Sequence, residues 1–258
     1  MRLVLYNIRY ATGAGPLHHM PVPFAGSLLP SERRFRRIGT FLGTLRPDIV
    51  ILVEADRGSY RCGGQSQAES LAVALDGDWQ AVFAPKYSPR SMLMRTPVLR
   101  CQGNALVSRL PVRSVRTHDL RRGMKRQALE VALDGVTLLI VHLPLGRKAR
   151  GVQFRELADV VAEIRGPLVL AGDLNTRNDK TDLREFLSAT GLRSANRLDL
   201  PTYPADWPRR QLDYVLHSPD LHSLAFHRPY VPYSDHLPLT WDFALPVDTA
   251  RQGGNGTT

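Results

Sequence analysis

The chain has 258 residues, 43% of them hydrophobic and 22% charged, with a formal net charge of +10 at neutral pH. This balance is that of a globular protein with a real core, and no apolar run approaches the roughly 18 residues that a membrane-spanning helix needs. Cys62 and Cys101 are the only cysteines and lack a CxxC spacing, which excludes a disulfide framework and a cysteine-based zinc site and leaves both as free structural thiols.

The length suits one large α/β domain. Arg2 to Ile8 reads as a strand. Its apolar part is too short for a signal peptide and is broken by Asn7, so the cytoplasm is the expected compartment. Residues 11–30 are rich in Gly and Pro, hold His18 and His19, and read as a solvated loop. Ser31 is placed to cap a helix in which Phe35, Ile38, Leu42 and Leu45 fall at helical spacing, and Pro47 ends it. Ile49 to Val53 is a continuous apolar run, as in a strand buried on both faces.

A second helix is predicted around Glu69 to Leu75, then strands at Gln80–Phe83, Gly103–Ser108, Ala128–Leu133 and Val136–Val141. Asp134-Gly135 marks a hairpin between the last two. Val152 to Ile164 has helical periodicity, Leu168 to Ala171 is another buried strand, and a short helix from Leu183 to Thr190 ends near Gly191. Strands return at Leu212–Leu216 and Leu237–Phe243. Helices join some strands and hairpins join others, which fits a mixed-sheet sandwich covered by helices better than a parallel doubly wound sheet. No repeat or linker divides the chain. Residues 1–245 read as one domain and 246–258 as a polar, Gly-rich, disordered tail.

Polar residues stand at the ends of these apolar strands. Asn7 ends LVLYN, Glu54 follows IVILV, and His142 follows LLIV. Asp173 and Asn175 follow LVLAG, Asp213 lies in QLDYV, and Asp235-His236 precede LPLTW. A charge at such a position costs several kcal/mol to desolvate unless it is paired or bound to a cation. One such residue is an ordinary turn; six strand ends of this kind point to one edge where they converge. Oxygen ligands without a Cys or multi-His cluster favour Mg²⁺ or Mn²⁺ over zinc. The histidines can serve as acid or base near neutral pH. Neither a Walker loop nor GxGxxG is present, and Ser234 is too close in sequence to Asp235-His236 to imply a catalytic triad. The set describes hydrolysis by an activated water, with a metal stabilising charge.

In chain order, LYNIRY, ILVEAD, GNALVSRLPV, LLIVHLP, LAGDLNT, RRQLDYVL and YSDHLPL resemble the successive motifs of the endonuclease/exonuclease/phosphatase superfamily, over about residues 2 to 243. Its members include pancreatic-type deoxyribonucleases, abasic-site endonucleases, neutral sphingomyelinases and inositol polyphosphate 5-phosphatases. The resemblance implies a four-layered α/β sandwich of two packed mixed β-sheets flanked by helices. It implies a divalent metal, Mg²⁺ or Mn²⁺, held mainly by Glu54 with Asn7 and Asp235 nearby. By the same analogy His236 is the general base, oriented by Asp213. Asp173 and Asn175 position water and phosphate oxygens, and His142 contacts the phosphate or assists the leaving group. Abasic-site endonucleases carry a tyrosine where this chain has His142. Some members hold that histidine with a glutamate, for which Gln102 is the nearest counterpart here.

The expected function is therefore metal-dependent phosphoester hydrolysis, with nucleic acid the favoured substrate because the basic field attracts polyanions. A phospholipase C-like or sphingomyelinase-like hydrolase, with peripheral lipid contact, and a phosphomonoesterase are the alternatives. An inactive binding module is a remote one, since none of the expected metal and base residues is missing. Arg126, Arg147 and Lys148 are the candidate substrate contacts. Trp207, in the loop before RRQLDYV, is either a packing aromatic or a stacking platform. Oligomeric state is not legible.

Overall fold

The continuous apolar runs are strands covered on both faces. In a computed structural model, which describes residues 1–13, 31–89, 91–123, 125–176 and 180–246, β1 (Arg2–Asn7) and β2 (Ile49–Asp56) lie parallel, Leu3 opposite Ile49 and Asn7 opposite Val53. Successive side chains on a strand point to opposite faces. Leu3, Leu5, Ile49, Ile51 and Val53 therefore enter one core, while Val4, Tyr6, Val50 and Leu52 enter another. The second core is closed by α1 (Glu32–Thr44) through Phe35, Ile38 and Leu42, and by α2 (Gln67–Ala74) through Ala68 and Leu71. Ser31 does precede α1, but its Oγ donates to the Arg61 carbonyl at 3.2 Å instead of capping the helix.

The plan repeats later in the chain. β7 (Val136–His142) and β8 (Leu168–Asp173) are parallel, and α3 (Arg147–Glu163) connects them. Leu138, Ile140, Val169 and Ala171 join the first core. Leu139, Val141, Leu168 and Leu170 pack instead under α3 and α4 (Thr181–Thr190), against Phe154, Leu157, Leu183 and Phe186. Gly172 in β8 has φ +151°, and a Cβ there would lie 1.8 Å from the Val141 carbonyl oxygen, so only glycine lets the two backbones approach.

Antiparallel neighbours extend each parallel pair. One sheet runs β11 (His222–His227), β12 (Leu239–Ala244), β1, β2, β4 (Gln102–Ser108) and β3 (Gln80–Pro85). The other runs β5 (Val112–Asp119), β6 (Gln127–Leu133), β7, β8, β10 (Asp213–His217) and β9 (Arg193–Ser194). The sheets face each other across the first core, where Trp241 and Phe243 stack with ring centroids 4.3 Å apart, and the helices cover the outer faces. This is the expected four-layered α/β sandwich.

β5, β9 and β11 are additions to the elements expected from sequence. β5 is an edge strand with six of its eight residues exposed, so VRSVRTHD carries no apolar alternation to read. α3 begins at Arg147, ahead of the expected Val152, because its first turn is polar and carries no apolar periodicity. Both cysteines are free thiols, and burial pushes that of Cys62 up to about 12. Among the described residues no helix is long and apolar enough to cross a membrane. His18 and His19, and the expected tail beyond Pro246, lie outside the described residues.

Candidate active site

Each parallel pair sends its carboxyl ends to the same edge of the sandwich. β1 ends in Asn7, β2 carries Glu54, and β7 and β8 end in His142 and Asp173, which sit opposite each other in the ladder. β10 runs antiparallel to β8 and so begins at this edge, with Asp213 opposite Asp173. Asp235 and His236 lie just before β12, whose Leu239 pairs with Leu5 near the end of β1. Strand direction alone brings these residues together.

Their side chains form one connected group. Asn7 Nδ2 donates to Asp173 Oδ2 at 3.2 Å and so links the two sheets. The same oxygen is 3.3 Å from His142 Nε2, while the Asn175 backbone N–H donates to Asp173 Oδ1 at 3.0 Å. Asn175 Nδ2 donates to the Leu143 carbonyl at 2.9 Å. His236 Nδ1 is 2.7 Å from Asp213 Oδ2, and the Tyr203 ring lies 5.0 Å from that imidazole. Glu54 Oε1 faces His142 Nδ1 and Lys86 Nζ, each at 3.8 Å. Asp235 Oδ2 is 3.2 Å from Arg9 Nη1.

The backbone is unusual at these positions. A bulge between Leu52 and Ala55 takes Glu54 out of the ladder at φ +56°, and its N–H turns to Asn104 Oδ1 at 3.4 Å. Asn175 has φ +52°, and Arg9, Tyr10 and Ala11 form a turn with φ of 47°, 55° and 56°. Each such non-glycine residue costs about 1 kcal/mol or more, a cost that other proteins concentrate at functional sites.

Four carboxylates, those of Glu54, Asp173, Asp213 and Asp235, meet cations across this edge. Burial opposes ionisation of Glu54, but Lys86, His142 and Lys125 overcome it and hold the carboxyl down at about 2. Asp173 is likewise held well below the usual range, by His142, His236 and Lys125 against burial. Burial and then Lys125 pull His142 down to about 4, so at neutral pH the ring is uncharged and Nε2 can accept the Lys125 ammonium it touches. On His236 burial is outweighed by Asp213, Asp173 and Asp235, which push it up to about 10.

The donor chemistry fits a hard divalent cation. Single ligand atoms of Asp173, Asp213 and His236 lie within 4.8 Å of one another. Asp213 Oδ1 is buried without a hydrogen-bond partner among the described residues. The ligands expected from the resemblance surround this group: Asn7 is bonded to Asp173, Glu54 faces His142, and Asp235 precedes His236 in the chain.

Not every expected contact is drawn to this centre. Arg126 Nε donates to the Leu120 carbonyl at 2.7 Å and lies 3.7 Å from Asp119, within its own hairpin. Arg147 and Lys148 are exposed in the first turn of α3. Gln102 Oε1 accepts from Tyr87 Oη at 3.4 Å, and Lys125 and Asp173 are the residues on the His142 imidazole. Lys86 and Arg9 escape a rule that follows acids, Asn and His at the ends of apolar runs, whereas Asn104, near the start of GNALVS, was open to it. Lys86 follows β3 directly and was available to the same rule applied to bases.

The fold and the gathered acid–histidine edge define a hydrolase of phosphoesters. The sequence model of the Endonuclease/Exonuclease/phosphatase family matches residues 4–236, and the chain belongs to that family. Its structure is similar to an endonuclease/exonuclease/phosphatase from Beutenbergia cavernae (23% identity, 95% of this chain and 72% of that one, TM-score 0.71). It is also similar to the human Nocturnin catalytic domain with bound sulfate (21% identity, 95% and 93%, TM-score 0.64). A third similar structure is a Neisseria 3′ phosphatase bound to a product DNA hairpin (16% identity, 95% and 99%, TM-score 0.63). No curated protein sequence matches the chain.

Proposed function

We propose that the chain is a divalent-metal-dependent phosphodiesterase that hydrolyses nucleic acid with a water activated at His236. The carrying observation is the 2.7 Å contact of His236 Nδ1 with Asp213 Oδ2, buried beside Asp173. By accepting the Nδ1 proton, Asp213 fixes the ring and directs Nε2 elsewhere, towards a water. In the metal-free chain Asp213, Asp173 and Asp235 keep the ring protonated at neutral pH; with a divalent ion bound to offset those acids, Nε2 is free to take the water's proton. Asp173, held by Asn7 and the Asn175 backbone N–H, orients that water. Asn175 completes the floor beside it, and neutral His142 offers a hydrogen bond to a phosphoryl or leaving oxygen. Lys86 and Lys125 add fixed positive charge where negative charge grows on the phosphoryl group. Glu54, with Asn7 and Asp235, would hold a Mg²⁺ or Mn²⁺ ion, which supplies Lewis-acid stabilisation of that charge when bound.

Nucleic acid is favoured because the net charge of +10 provides the field that a polyanion needs, and a DNA hairpin is the ligand of one protein of the same fold. The test is an assay with Mg²⁺, Mn²⁺ or EDTA on single- and double-stranded DNA, RNA, phospholipid vesicles, bis(p-nitrophenyl) phosphate and p-nitrophenyl phosphate. Metal-dependent cleavage of nucleic acid that disappears in His236→Ala is the expected result. Cleavage of lipid or monoester alone would keep the chemistry and discard the substrate.

A further inference from the structure

Beyond the catalytic edge, the chain on either side of it lines a basic cavity. It has a volume of about 370 Å³ and is lined by Thr176, Lys180, Arg184, Arg209, Arg210 and Gln211, with Asp199 the one acid on its wall among the described residues. Thr176 is the residue after Asn175, and Gln211 is two residues before Asp213. The Thr176 hydroxyl meets Tyr214 Oη at 2.8 Å, which joins the two walls. Two residues of chain span about 7 Å, roughly the separation of successive phosphates along a nucleic-acid strand.

Its polar groups are arranged for an anion. Lys180 Nζ lies 3.2 Å from Asp199 and donates to Gln211 Oε1 at 3.1 Å, so Asp199 is already neutralised. That bond turns the Gln211 amide so that Nε2 has no partner among the described residues, although the residue is only 4% exposed. A buried N–H without an acceptor costs about 1–3 kcal/mol, which a bound oxyanion would relieve. Arg184 and Arg210 have no carboxylate within salt-bridge distance among the described residues. The lining residue Arg209 holds its guanidinium 5.0 Å from the ring of Trp207, which is 67% exposed and offers a surface on which a base can stack.

We propose that this cavity is a subsite for a second phosphate of the substrate, next to the phosphoester that is cleaved. The proposal rests on the phosphodiesterase reading above and names how the substrate is held: one phosphate at the metal edge, its neighbour among Arg184, Arg210 and Gln211, and the connecting base on Trp207. The second phosphate comes from the next link of a nucleic-acid strand or from a small bisphosphate. The chemistry recognised is the same.

The experiment uses the full chain with Mg²⁺ and compares wild type with Arg184→Ala/Arg210→Ala. Adenosine 3′,5′-bisphosphate and adenosine 5′-monophosphate compete against bis(p-nitrophenyl) phosphate turnover, and a single-stranded DNA 10-mer serves as substrate. Wild type should bind the bisphosphate at least tenfold more tightly than the monophosphate, and the variant should lose that preference. The KM for the 10-mer should rise by a similar factor, with the salt slope of log KM reduced by about 0.7 per lost phosphate contact. A wild type that binds both nucleotides alike, or a variant that keeps its preference, overturns the subsite even if the 10-mer is cleaved. Discrimination without cleavage of the 10-mer leaves the subsite standing and removes nucleic acid as the source of the phosphate.

Discussion

Asp213 is 1% exposed and its one strong partner is the imidazole of His236. Replacing His236 with alanine therefore removes a proton acceptor and orphans a buried carboxylate. Turnover should fall by about 10²- to 10⁴-fold. The melting temperature should also fall at pH 7 and recover in part near pH 5, as the orphaned carboxyl takes a proton; activity and melting at both pH values check the pair of effects. In metal-free wild type, His236 is raised from its ordinary value to about 10. Its contribution to stability is then complete below the unfolded value of about 6.5 and is lost as the pH rises through 10. Melts in EDTA from pH 6 to pH 10 should show this decline. Glu54 faces the Lys86 ammonium and the neutral His142 imidazole, each across 3.8 Å, without a hydrogen bond to its carboxylate among the described residues, so it is the acid most open to a metal. Glu54→Gln should abolish the rise in melting temperature that Mg²⁺ gives to wild type; a variant that keeps the full rise would remove Glu54 from the metal site.

Strands place these side chains, and their packing limits what can be changed. Gly172→Ala would drive a Cβ to 1.8 Å from the Val141 carbonyl oxygen, where β7 and β8 run side by side. The loss of stability should be on the order of 4 kcal/mol, enough to be read by urea denaturation or as insolubility, and near-wild-type stability would show that the two strands separate more easily than their geometry implies. Asn7, Glu54, His142, Asp173 and Asp213 were legible because each stands at or near the end of a strand buried on both faces, and such strands are long unbroken apolar runs. Gly172 was not, because the close approach of two backbones leaves no mark in one strand's composition. β5 was not legible, because an edge strand exposed along most of its length has no apolar face to mark it. The turn at Arg9–Ala11 was hidden for another reason: three consecutive left-handed non-glycine residues leave no composition signal, yet this turn brings Arg9 to Asp235. Arg126 was named for its charge beside a strand expected near the site, whereas the hairpin that carries it directs Nε to the Leu120 carbonyl. Charge type is visible in a sequence; the direction of a long side chain is set by the element that bears it.

The molecule as a whole carries an excess of ten positive charges, although the catalytic edge itself gathers four carboxylates. A substrate phosphate is thus drawn by the surrounding field towards a centre whose own acids would repel it until cations neutralise them. Lys86, Lys125 and Arg9 meet part of that negative charge within the chain, and a divalent ion would meet more. The two fields respond differently to salt. Exposed arginines act over a Debye length of about 8 Å at physiological ionic strength and lose reach as salt rises, whereas buried pairs are screened far less. For a polyanion, displacement of counterions should make log KM rise linearly with log salt, with a slope of about 0.7 per phosphate contacted on a single strand. Bis(p-nitrophenyl) phosphate carries one charge and should show a much shallower dependence on the same enzyme. Steady-state kinetics on both substrates from 50 to 300 mM KCl at fixed free Mg²⁺ separates long-range attraction from the chemistry of the edge. Equal slopes would mean that the basic surface plays no part in recruiting substrate, and that selectivity resides in the residues around Glu54, Asp173 and His236.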